Sequence, residues 1–167
     1  MTALLQVCAW IHDLPWTTAI RESEITFPAL ETVHVLSLGL MVGTIAIVDL
    51  RLLGVVLRHE PVARIAAPLL PATWIGFGLM LSTGGLLFAA EATDMYANPA
   101  FRLKLLLLGL AGLNMLVFHF TSYSRRVRWG SEVSPPVGAR IAAAASLTLW
   151  TGVIIMGRAI AYFHHHG

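Results

Sequence analysis

Residues 28–57, PALETVHVLSLGLMVGTIAIVDLRLLGVVL, decide the fold. Only Glu31, Asp49 and Arg51 carry formal charge in this run. About 20 mostly apolar residues suffice for a helix to cross a bilayer, so the stretch reads as a membrane span. Three further stretches qualify: Pro71 to Ala90, Phe101 to Phe120 and Ile141 to Phe163. The alternating segments of about ten residues that mark a membrane barrel are absent. Composition agrees: 57% of residues are hydrophobic and 12% charged. That is half the roughly 25% charge of a soluble domain, too little to coat a globule in water.

Short connections between the spans favour an antiparallel arrangement. The expected fold is therefore all-α: an integral membrane four-helix up-down bundle over residues 28–163, with a tail at 164–167. Glycines recur inside the spans, among them Gly76, Gly84, Gly152 and Gly157, and in lipid such small residues let helices approach closely. Residues 1–27 are neither span nor signal peptide, because no basic segment opens them and His12, Asp13 and Pro15 break the apolar run. Leu4, Leu5, Cys8, Ile11 and Leu14 recur at helical spacing, which predicts an amphipathic helix lying in the interface.

Arginine placement predicts orientation. Arg58 and Arg64 follow the first span, and Arg125, Arg126, Arg128 and Arg140 follow the third. Both loops lie at the same end, which should be cytoplasmic. Both termini are then expected to face outward, towards the periplasm of a bacterial inner membrane. The net charge of +2 is small and the basic residues are clustered, so nucleic acid is not an expected partner. The lone Cys8 excludes an intrachain disulfide and any multi-cysteine metal centre. No phosphate loop, GxSxG, HExxH or CxxC motif is present.

Ionisable groups inside a membrane are expensive, so each is a functional candidate. They fall into two layers. The outer layer holds Glu31, His34, Glu91, Lys104 and Arg158; the inner one holds Asp49, Arg51 and His119. Glu31, His34 and Asp49 fall within roughly 60° around one helix, a stripe expected to face the interior. One reading makes the charges structural: Asp49 paired with Arg51 or a loop arginine, and Glu31 with Lys104 or Arg158. Ser82 and Thr83 are read as bonding their own helix backbone.

Imidazole opens a second reading, since it is the commonest metal ligand. A b-type haem needs axial histidine and cationic partners for its propionates. His34 would be an outer ligand with Lys104 and Arg158 beside the propionates, and the second ligand would come from His12, His164, His165, His166 or another protomer. His119 would pair with His59 at the inner end. Alternatively, His34, His119 and the run His164–His166 would hold copper or zinc.

The runs FPALETVHVLSLGL (27–40), VDLRLLG (48–54), TWIGFGLMLSTGGLLF (73–88), NPAFRLKLLLL (98–108) and GRAIAYF (157–163) resemble a family of small bacterial four-span membrane proteins of unknown function. The resemblance covers nearly the whole chain and implies a four-span fold, with Glu31, His34, Asp49, Arg51, Asn98, Lys104, His119 and Arg158 as its marks. A weaker likeness to b-type bundle cytochromes and copper-resistance membrane proteins implies histidines on antiparallel spans. The resulting expectation is a haem-binding protein in electron transfer with a quinone or a redox protein, more an electron carrier than an enzyme. The alternatives are a metal-ion or small-solute binding or transport protein, and an accessory subunit of a larger membrane complex. Homo-oligomerisation is expected with any of them.

Overall fold

A computed structural model describes residues 3–129 and 135–163, the side chains of 119 and 121–129 excepted. The described residues are helical and loop, without strands. Helix α1 spans Ala3–His12, α2 Pro15–Arg21, α3 Thr26–Leu53, α4 Val62–Ala90, α5 Ala92–Ala97, α6 Pro99–Trp129 and α7 Val137–Phe163. Four segments are long and apolar enough to cross a membrane: α3, α4, Pro99–Phe118 of α6, and α7.

Helix ends explain where the expected spans shift. The first ends at Leu53, four residues before Leu57, because Gly54 takes a left-handed φ of 76°. Val55 N–H then donates to Leu50 O, and Gly54 N–H to Arg51 O, the double closure of a Schellman turn. The second begins at Val62 rather than Pro71 and runs through Pro68 and Pro71. Membrane helices tolerate such prolines because neighbouring groups re-satisfy the backbone.

The closest packing lies within two antiparallel hairpins, α3 with α4 and α6 with α7, which join where α3 meets α7. Small and hydroxyl-bearing residues set the α3/α4 seam. Thr44 and Thr73 hydroxyls bond at 2.9 Å. A Cβ added at Gly76 would lie 3.0 Å from both Met41 N and Ser37 O, so only glycine lets the backbones come this close. His34 meets Thr83 further along. Each step of three or four residues along α3 is matched by an equal step back along α4.

The α6/α7 seam follows the same logic. Asn114 Nδ2 donates to Ala142 O at 3.0 Å, Leu107 packs over Gly152, and Lys104 covers Gly157. Asn98 closes the end where α6 starts and α7 stops. Its Oδ1 accepts from Ala100 N (3.0 Å) and Phe101 N (3.2 Å), capping α6. Its Nδ2 donates to Ile160 O at 3.1 Å, fixing the start of α6 to the end of α7. At the opposite end the two hairpins share a core of Leu52, Val62, Ala139 and Ala143, with Val48, Leu53 and Phe118 packed against it.

The expected single N-terminal helix is two. Pro15 excludes helical backbone from the preceding residue, and Leu14 is extended with ψ 141°. Thr17 Oγ1 lies 2.7–3.0 Å from the carbonyls of Ile11, His12 and Leu14, which fastens the turn. Arg21 Nη1 donates to Ala90 O at 2.8 Å and holds the pair on the C-terminal end of α4. Leu4, Val7, Trp10 and Trp16 remain exposed.

Candidate functional site

His34 sits eight residues into α3, roughly 12 Å from that helix's first residue at 1.5 Å per residue. Its imidazole is half-buried and leans on α4. A Cβ added at Gly84 would meet His34 Cε1 at 2.9 Å, so glycine there makes the cradle for the ring. Thr83, the preceding residue, lies 3.0 Å from His34 Nδ1.

The Thr83 hydroxyl oxygen also lies 2.7 Å from Leu79 O, and His34 has a further hydrogen bond to the Met80 backbone. The imidazole is thus tied to α4 by a side-chain and a backbone partner. Orienting a ring through such hydrogen bonds is how proteins prepare an imidazole as a ligand.

A cation completes the layer. Lys104 of α6 is half-buried, and its charge reaches His34. Its Nζ stands 3.8 Å from the Cβ position of Gly157 on α7. One turn towards the start of α6, Phe88 of α4 and Phe101 of α6 stack at 5.4 Å with an interplanar angle of 6°. Four spans thus contribute to one level: His34, Thr83 with Gly84, Lys104 and Gly157.

Two expected members of this layer face away from the seam. Glu31 is exposed and Arg158 is exposed. Glu31 lies about one turn nearer the start of α3 and about 60° round from His34. Arg158 follows Gly157 by one residue, about 100° round the helix, so it leaves on another face. The expected pairing of Glu31 with Lys104 or Arg158 does not form among the described residues; Arg64 and Glu60 pair at 3.1 Å at the other end of the bundle, where the α3–α4 loop meets α4. Glu91 is half-buried where α4 gives way to α5.

The inner layer separates as well. Asp49 is 7% exposed and takes a hydrogen bond from the Ser146 hydroxyl of α7, while its Oδ2 has no partner. Arg51 is 1% exposed and its Nε donates to Glu60 O at 2.7 Å. Asp49 and Arg51 do not pair: residues two apart on a helix point to different sides. His59 is exposed in the α3–α4 loop. The side chain of His119 and all of His164, His165 and His166 lie outside the described residues. His12 lies near the Arg21 guanidinium (3.3 Å) and the Thr93 hydroxyl (3.4 Å), where α1 and α2 meet α5. Among the described residues no group of three or more His, Cys, Asp or Glu converges.

Sequence reading therefore found His34 and Lys104 and missed what organises them. Thr83 does bond its own backbone as expected, but its hydroxyl also meets His34. A signal was present: Gly76, Met80 and Thr83 share one buried face of α4, a small-and-polar stripe at helical spacing.

Residues 24–163 match the model of a family described as a family of unknown function (DUF6644), and the chain belongs to that family. No haem or copper family matches. No curated protein and no solved structure matches the chain.

Proposed function

We propose that this protein binds a b-type haem on His34 and works as a small electron-transfer protein of a bacterial inner membrane. The observation that carries the reading is the His34 imidazole held inside the helix seam, with Nδ1 3.0 Å from the Thr83 hydroxyl and its ring seated over Gly84. The donor set fits: a neutral imidazole is the axial ligand such a group takes, and Lys104 supplies a cation at the same level for a propionate. Gly84 keeps the ring's place clear. When bound, the haem would supply one-electron chemistry.

The chain's own contribution is to hold the imidazole by Thr83, to place positive charge at Lys104, and to keep the seam apolar through Phe88 and Phe101. A quinone or a redox protein is the expected exchange partner. A second axial ligand from another protomer makes a homo-oligomer part of the proposal, with both termini on the periplasmic side.

The test is the visible spectrum of protein purified from cells supplied with haem, with haem quantified as the pyridine complex. A Soret band that His34→Ala abolishes, in a variant of unchanged helix content, is the expected result. Protein that carries no haem under these conditions, and takes up none on titration, refutes the proposal.

A further inference from the structure

The apolar stripe that the sequence shows on α1 is spent inside the protein. Cys8 is buried, and Leu5 and Ile11 on the same side are half-buried, where α1 packs on α5. A second apolar stripe is left over. Leu4, Val7 and Trp10 follow one another at three-residue intervals and are 66%, 52% and 65% exposed. The exposed polar residues Gln6 and Asp13 lie roughly 100–120° round the helix from Val7, with Trp10 between. A contiguous exposed patch of this kind, rimmed by polar groups, marks a contact surface.

Position in the fold says what covers it. Arg21 Nη1 reaches both Ala90 O at 2.8 Å and His12 O at 3.2 Å, which ties the α1–α2 pair to the last residue of α4. No charged residue occurs from Ile65 to Ala90, and Glu91 ends that run. At 1.5 Å per residue the run is about 39 Å long, more than the roughly 30 Å of a hydrocarbon core. Ala90 therefore stands where the span leaves lipid, and α1 is held at that level. An indole between an apolar and a polar side, as Trp10 is, suits a membrane surface. Charge does not select the lipid: residues 3–25 carry Asp13, Glu22 and Glu24 against Arg21 alone. Apolar burial is left as the attraction.

We propose that α1 lies against the lipid surface through Leu4, Val7 and Trp10, needing no anionic lipid and independently of the His34 site. The test uses the full chain in nanodiscs of phosphatidylcholine, with Cys8→Ala removing the native thiol. A nitroxide is attached in turn at Leu4→Cys, Val7→Cys, Gln6→Cys and Asp13→Cys, all exposed positions. Collisions with oxygen, which concentrates in lipid, and with a nickel chelate, which stays in water, are read by electron paramagnetic resonance. The oxygen-to-nickel ratio is expected to be several-fold higher at Leu4 and Val7 than at Gln6 and Asp13. Labels at Leu4 and Val7 that read like those at Gln6 and Asp13 overturn the proposal. So do labels there shielded from both probes, the mark of a protein partner instead of lipid.

Discussion

Replacing Gly76 by alanine adds one methyl group where the structure has no room for it. The new Cβ would stand 3.0 Å from Met41 N and from Ser37 O, and 3.1 Å from Met41 Cβ. Ordinary contacts there need about half an ångström more. The obstructing atoms are mainly backbone, so no rotamer change relieves them; α3 and α4 must separate as bodies. That separation strains the two bonds flanking the contact, Thr44–Thr73 at 2.9 Å and His34–Thr83 at 3.0 Å. Overpacking of this kind costs about 1–3 kcal/mol. Alanine also brings a helix propensity better than glycine's by about 1 kcal/mol, which works the other way. Gly78, two residues on in the same helix, removes that ambiguity, because a Cβ there meets nothing within 4 Å. Gly78→Ala carries the propensity gain alone, and the difference between the two variants isolates the overpacking term. Unfolding in mixed micelles, followed by circular dichroism, should place Gly76→Ala about 1–3 kcal/mol below Gly78→Ala. Equal stability of the two would refute the close approach at this seam and the register built on it.

Further outcomes follow from neighbouring contacts. Asn98→Ala removes the α6 cap and strands Ile160 O; it should cost about 2 kcal/mol in the same unfolding assay, whereas Asn98→Asp keeps the cap and loses about half of that. Ser146→Ala takes the donor from the buried Asp49 carboxyl and should cost about 1–3 kcal/mol; an unchanged midpoint would show the bond to be idle. Gly84→Ala pushes on the tip of a side chain rather than on backbone, so stability should hold. Haem binding, read at the Soret band, should weaken about 10- to 100-fold, as loss of a ligand's supporting contacts does elsewhere. Gly85→Ala, with open space around it, is the matched control and should bind as the parent does.

Hydropathy made the four crossings legible, because a span is a local property that apolar length alone decides. It placed helix ends less well. Gly54 stops α3 through a turn that hydropathy does not register, and Pro71 reads as a boundary although α4 runs through it. The site was half legible. His34 and Lys104 stand out because ionisable groups are rare in spans. Glu31 stands out equally and is exposed; the helical angle that put it beside His34 carries no information on where the packed face ends. Thr83 and Gly84 looked ordinary, because their role is a distance to a residue on another helix.

The two-hairpin packing has a consequence for the order of assembly. The contacts that orient His34 all come from α3 and α4, so the first hairpin to leave the ribosome already presents a poised imidazole. Lys104 belongs to the second hairpin and is anchored over its Gly157. Docking of the second hairpin then brings Lys104 to the level of that imidazole.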